Sequence, residues 1–337
     1  MSGQIPTPPR ELVDLIGSWR RVVCVGHVTP DPDCLGAMFA LGRARTAAGA
    51  GHWSACLPPG SLSSRNQFLV DMADLPLATA ADLDAADGFV VVDTARRSRC
   101  NLPAGLDEAW PDGKTVACVD HHVSNTRFGD VNWVEPHAAS SCELIYALLR
   151  ALDAPIDAVI ANLLYAGLMT DTAGFSLPAT NSFMLRAAAD LVDLGADVGM
   201  IGMRLNRARS IHDFRLNRVI HDNTHLAAGG RIAYSTASFA EIQETGCGPA
   251  DIDDQVKIPR SLACVRVAIL FTEAVENETR INFRGEDGFN VLPLAERFGG
   301  GGHELAAGAR MRCPVDQAVE HVIPVAAALV CDTIDAA

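Results

Sequence analysis

Lysine is almost missing from this 337-residue chain. Of 27 basic residues only Lys114 and Lys257 are lysines, set against 41 carboxylates. The formal charge of −14 excludes a long, non-specific nucleic-acid tracker, which needs a basic face. Anion binding must then rest on a few arginines or on metal ions. Long apolar runs are missing as well. Val322–Cys331 and its like stop far short of the ~18 residues that cross a bilayer. Residues 1–14 hold prolines and carboxylates with no apolar core, so no secretory signal is read and a cytoplasmic protein is expected. None of the ten cysteines forms a Cys-x-x-Cys pair, and disulfides are not expected in such a chain. Cys24, Cys118 and Cys264 sit in apolar runs, as small buried hydrophobes do. Repeats and low-complexity segments are also lacking.

What is present is a packed core. Hydrophobic residues make up 49% and charged residues 20%, which excludes disorder over the bulk of the chain. The length suits about two domains. Residues 21–26, 88–92 and 115–119 are continuous β-rich runs, as in strands covered on both faces. Helical patterns occur over 35–48, 144–152, 155–168 and 181–194, the second of these after the capping signature Ser140-Ser-Cys-Glu143. Strands alternating with helices predict a parallel α/β domain over 1–195. Residues 196–222 read as a linker, with a basic helix over 204–218 or simply a solvated face. Residues 223–337 read as a smaller α/β domain with a mixed sheet. Its strands are expected at 231–236, 263–272 and 279–284, and its helices at 291–298 and 316–334.

Polar residues follow each early strand directly: His27, Asp93 and Asp120. Ligands of open α/β sheets bind outside the carboxyl ends of the strands. In His27-Val-Thr-Pro-Asp31-Pro-Asp33 the prolines enforce an extended loop, which turns Asp31 and Asp33 the same way. Two carboxylates beside an imidazole repel one another unless a cation separates them. Mn²⁺, Fe²⁺, Zn²⁺ or Co²⁺ suits such donors better than Ca²⁺. Helix N-capping by the aspartates is the plainer alternative. Asp120-His121-His122 is harder to explain by packing, and Asp171 between threonines is an ordinary turn residue when taken alone. Together these segments supply four carboxylates and two imidazoles: His27, Asp31, Asp33, Asp93, His121 and Asp171. That set suits two cations bridged by a shared carboxylate, which clamp a phosphoryl group and activate water.

The order of these motifs resembles the DHH-family phosphoesterases. The resemblance rests on His27-x-x-Pro30-Asp31-x-Asp33-x-x-Gly36, Asp93 after three valines, Asp120-His121-His122-x-x-Asn125 and Thr170-Asp171-Thr172. Gly299-Gly-Gly-Gly-His303-x-x-Ala306-Ala307-Gly308 resembles the signature of the family's first class of associated C-terminal domain. Length and order are similar to the branch of bifunctional oligoribonucleases (nanoRNases) and pAp phosphatases. The resemblance implies one metal site from His27, Asp31 and Asp93, and a second from Asp33, Asp93, His121 and Asp171. Two divalent ions are implied, Mn²⁺ first, with Mg²⁺, Co²⁺ or Fe²⁺ as alternatives. It implies catalytic residues Asp120, orienting a histidine, and His122, facing the scissile phosphate. Arg284, Gly300, Gly301, Gly302 and His303 would bind substrate, in a cleft between the domains. Ala37 and Gly285 stand where serines are common in the family. The implied substrate is short RNA or a small nucleotide such as pAp, with no long nucleic acid, no membrane and a homodimer as an option. A phosphodiesterase for cyclic or linear dinucleotides, a pyrophosphatase or polyphosphatase, and a non-catalytic nucleotide sensor are the competing readings.

Overall fold

The apolar runs at 21–25, 88–92 and 115–120 become the middle of a parallel sheet. In the computed structural model these are β1 (Arg21–Val25), β3 (Gly88–Val92) and β4 (Thr115–Asp120), flanked by β2 (His52–Cys56) and β5 (Val131–Val134). The structure describes residues 6–103, 110, 113–207, 210–252, 255–286, 288–302 and 304–332. The chain divides into two compact units, Met1–Ala208 and Arg209–Ala337. In the first, all strand pairs are parallel and the order is β2-β1-β3-β4-β5. The connections leave β1 and β3 in opposite senses, so the crevice beyond their carboxyl ends is a topological switch point. The two outer strands escaped the sequence reading because each mixes polar with apolar residues, as sheet edges do.

Helix Pro32–Ala47 is buried over most of its circumference. It begins at an Asp31 N-cap, whose Oδ1 accepts from the N–H groups of Asp33 and Cys34 at 3.0 Å each. It lies against helix Ala158–Asp171 at close range. A Cβ on Gly36 would stand 2.4 Å from the Leu163 carbonyl oxygen, so only glycine allows the approach. Helix Ser141–Ala151 starts as read, with Ser140 Oγ accepting from Glu143 N. The Glu143 carboxylate reaches past the cap to accept from Ala139 N.

The second unit holds a mixed six-stranded sheet: β6 (Thr224–Ala227), β7 (Ile232–Ala237), β8 (Val267–Val275), β9 (Glu278–Gly285), β10 (Gly301–Gly302) and β11 (Ala306–Met311). The order is β10-β11-β9-β8-β7-β6, with β7 and β8 parallel and the other pairs antiparallel. Helix Val315–Asp332 seats Val315, Ala318, Val322, Ala326 and Val330 in a core with Ile269, Phe271, Ile281 and Phe283. The α/β class, parallel sheet first and mixed sheet second, agrees with the sequence.

Two local readings need correction. The basic stretch 204–218 is not one helix. Helix Val198–Asn206 ends, and helix Ile211–Asp222 starts afresh at a Ser210–Asp213 capping box. Cys24 and Cys118 are buried, but Cys264 is exposed at a φ of +67°. Among the described residues, no helix is long and apolar enough to cross a membrane.

Candidate metal centre

Each strand of the switch point hands over one polar segment. His27 follows β1 by two residues, and its Nδ1 lies 2.8 Å from the Val28 carbonyl oxygen. That oxygen can only accept, so Nδ1 donates to it and Nε2 is the nitrogen left to face the carboxylates. Nε2 lies 3.4 Å from Asp93 Oδ2 and 3.8 Å from Asp31 Oδ2. Asp93 follows β3 directly, with a φ of +51°. A non-glycine residue in that region is strained and needs surroundings that fix it. Those surroundings are here: Oδ1 accepts from Ser141 Oγ at 2.9 Å and lies 3.5 Å from His121 Nε2.

Asp33, from the first turn of its helix, is fully buried. Its Oδ2 accepts from Ser141 N at 2.7 Å and its Oδ1 from Cys142 N at 2.9 Å. The N-terminus of helix Ser141–Ala151 is thus closed by a carboxylate from another helix. Asp171 is the last residue of its own helix rather than part of a following turn. Its Oδ2 lies 3.3 Å from His121 Nε2. Donor atoms of Asp33, His121 and Asp171 all fall within 4.8 Å of one another, as do those of His27, Cys34 and Asp93, and those of Asp93, His121 and His122. The structure therefore brings together all six residues read as metal ligands. Asp93 sits in the middle, one oxygen toward each imidazole.

The electrostatics fit a pair of cations. Burial first, then the nearby Asp171 and Asp93, raise the pKa of Asp33 well above the usual carboxylate value. Burial likewise raises Asp171 to about 6, although His121 pulls it down. Asp93 is as deeply buried, but hydrogen bonds from His121 and His27 outweigh that and hold it well below the usual value. Three buried carboxylates crowded together repel, and positive charge among them removes the repulsion. The donors are nitrogen and oxygen with one sulfur, a set suited to divalent transition ions.

Asp120 ends β4, fully buried, and organises the loop after it. Its Oδ1 accepts from His121 N at 2.9 Å and faces His122 Nδ1 at 2.7 Å, while Oδ2 accepts from Asn125 Nδ2 at 2.6 Å. The orienting role read for Asp120 thus falls on His122. Burial works to lower the His122 pKa, but the Asp120 hydrogen bond and the Asp93 charge more than offset it, so the pKa is raised.

In the second unit Arg284 lies on β9, paired with Ala306 of β11, while Gly301 and Gly302 form β10 opposite Gly308 and Ala307. Arg284 and the glycine run therefore share one end of one sheet. A Cβ on Gly300 would stand 2.1 Å from the Gly308 oxygen, so the run is packed backbone against backbone. His303 lies outside the described residues. Gly285 cannot be the family's serine here, since a Cβ would stand 1.9 Å from the Phe289 oxygen.

Sequence reasoning missed Ser141 and Cys34. The hydroxyl of Ser141 was hidden in a helix start, and its role depends on a partner 48 residues away. Cys34 could have been found from its place inside the first motif.

Comparison with known proteins agrees with this geometry. Residues 21–168 match the N-terminal domain of the DHH family. The chain is 25% identical over 309 residues to a bifunctional oligoribonuclease and PAP phosphatase of Bacillus subtilis, covering 89% of this chain and 92% of the relative. It is 29% identical to the protein of that name in Mycoplasma genitalium, covering 89% and 91%, and 29% to that of Thermus thermophilus, covering 88% and 86%. In fold it is similar to an exopolyphosphatase-related protein from Bacteroides fragilis, with a TM-score of 0.82 at 21% identity over 95% of this chain and 96% of that one. With the motifs in order, their side chains gathered at one switch point and the relatives aligned over most of their length, the chain is similar to the bifunctional oligoribonucleases and PAP phosphatases, and its residues 21–168 match the DHH family's N-terminal domain.

Proposed function

We propose that this chain is a metal-dependent phosphoesterase that hydrolyses short oligoribonucleotides and 3′-phosphoadenosine 5′-phosphate (pAp). The observation that carries the reading is the division of Asp93, with Oδ2 toward His27 and Oδ1 toward His121. The substrate class follows the oligoribonuclease and PAP phosphatase names of the relatives.

His27, Asp31 and Asp93 would hold one divalent cation, and Asp33, Asp93, His121 and Asp171 a second. Such cations lower the pKa of water and offset phosphoryl charge. Mn²⁺ is the ion of this reading, with Mg²⁺, Co²⁺ and Fe²⁺ to compare. Ser141 holds the central carboxylate of Asp93 in place. His122, fixed through Nδ1 by Asp120, turns its other nitrogen to the phosphate and gives a proton to the leaving oxygen. Arg284, Gly300, Gly301, Gly302 and His303 are the substrate-binding residues. A glycine run lets backbone N–H groups come close to an anion. A cytoplasmic location, short rather than long RNA, and a homodimer belong to the same reading.

The test is a turnover panel with Mn²⁺: pAp, RNA of two to five nucleotides, linear and cyclic dinucleotides, and pyrophosphate. Turnover of pAp and short RNA is expected. Turnover of pyrophosphate alone, or of nothing with any of the four ions, overturns the reading.

A further inference from the structure

The metal ligands implied by the family motifs are all nitrogen and oxygen donors, yet a sulfur stands among them. Cys34 lies in the first turn of helix Pro32–Ala47, fully buried. Its sulfur, one nitrogen of the His27 ring and one Asp93 carboxylate oxygen lie within 4.8 Å of one another. Bonds of about 2.0–2.3 Å separate the donors of a four-coordinate ion by roughly 3.5 Å. The His27 to Asp93 distance of 3.4 Å already has that value.

The sulfur is held there from behind. Gly26 backs onto it so closely that a Cβ at 26 would stand 2.2 Å from Sγ. The His27 backbone N–H donates to the same sulfur at 3.3 Å. Its rear side is therefore occupied by the end of β1, and the donors of His27 and Asp93 lie beside it. Asp31, on the same loop, spends Oδ1 on the helix N-cap. One of its oxygens is thereby committed, whereas the thiol takes a weak backbone bond and faces the His27 ring itself.

We propose that Cys34 supplies a sulfur donor to the cation held by His27 and Asp93, giving this site a preference for Zn²⁺, Co²⁺ or Fe²⁺ over Mn²⁺ and Mg²⁺. Thiolate is a soft ligand that selects such ions, whereas carboxylates alone suit Mg²⁺ and Mn²⁺. Binding releases the thiol proton to solvent, since the coordinating species is the thiolate. The donors of Asp33, His121 and Asp171 include no sulfur, so the two sites differ in their preference. The inference rests on the metal-dependent reading above and deepens it.

Cobalt loading tests it without reference to turnover. Metal-stripped wild-type chain is titrated with Co²⁺, followed by absorption and by metal content. The wild type is expected to give an intense thiolate-to-cobalt charge-transfer band in the near ultraviolet. Cys34→Ser, which keeps size and hydrogen bonding, is expected to bind cobalt without the band. Its Zn²⁺-over-Mn²⁺ selectivity should fall roughly tenfold or more, the scale on which ligand changes act. Cobalt bound by the wild type without the band overturns sulfur ligation alone, and leaves Cys34 a packing residue. No cobalt bound at all overturns the metal reading itself. Should Cys34→Ser fail to fold, the wild-type spectrum still decides.

Discussion

Asp93 is the residue on which the site turns. With one oxygen toward each imidazole, Asp93→Ala is expected to lose both cations, and His27→Ala mainly one. Turnover should fall by orders of magnitude in the first, since the cations supply both nucleophile and charge. Metal content by mass spectrometry beside turnover checks this, and an active metal-free Asp93→Ala chain would sink the two-ion reading. Asp120 offers a pH test. It raises the His122 pKa, and an acid of raised pKa stays protonated to higher pH. Activity that needs protonated His122 is lost as pH rises through that pKa. Asp120→Asn removes the larger of the two causes of the rise and leaves the Asp93 charge, so the alkaline limb of kcat/KM should move to lower pH and kcat should fall by roughly 100-fold or more. An unmoved limb removes His122 from the acid role. His27, Asp93 and Asp120 could be read from sequence because each ends an apolar strand. Ser141 could not be ranked, because its partner comes from a distant segment and its side chain also suits a helix start, whereas Cys34 lay within the first motif but a cysteine there reads equally as a small buried hydrophobe.

Helix Ala158–Asp171 carries the close packing that sets the ligands. A Cβ on Gly167 would stand 2.3 Å from Cys142 Sγ and 2.6 Å from Asp33 Oδ1. Gly167→Ala is expected to cost about 1–3 kcal/mol, the range for overpacking, and to displace Asp33, lowering both melting temperature and metal content. A melting curve with metal analysis reads both, and unchanged metal content would free Asp33 from the constraint. The same helix starts at Asp157, whose carboxylate accepts from Ile160 N and from Arg43 Nη2 at 2.9 Å. Burial raises the Asp157 pKa, but Arg43 and the cap outweigh it and the pKa is lowered. A lowered folded pKa means stability that is present at neutral pH and lost as pH falls through it. Asp157→Ala should therefore cost about 1 kcal/mol at neutral pH, and the difference from wild type should vanish in acid, as paired melting curves would reveal. The buried helices could be read in outline because their apolar residues cluster, and Gly36 falls within the first motif. Gly167 gave no signal, since one glycine in an apolar helix looks like any small residue.

At the scale of the whole molecule charge is the governing quantity. A long polyanion approaching a surface of −14 meets repulsion that salt relieves. kcat/KM should fall steeply from dinucleotides to RNA beyond about five residues, and the fall should shrink with added salt, a length set by steering alone. Single-length RNA ladders at two ionic strengths measure it. Equal cleavage of a twenty-residue RNA would point to a processive enzyme. The first sheet could be anticipated because its central strands are uniformly apolar, and the second because of the apolar run of β8 and the alternation of β9. β11 could not, because Ala306-Ala-Gly-Ala-Arg-Met311 holds no β-branched residue and reads as a loop. Finally, the ligands span Gly26's neighbour His27 to Asp171, so only the folded chain assembles them. Any ion that binds this assembly and not the unfolded chain adds to its stability in proportion to the logarithm of its supply. Starved of transition ions, a cell would hold this chain with three carboxylates facing one another in the dark of its own core. Without that added stability the folded chain would open more often, and an opened chain is what proteases cut.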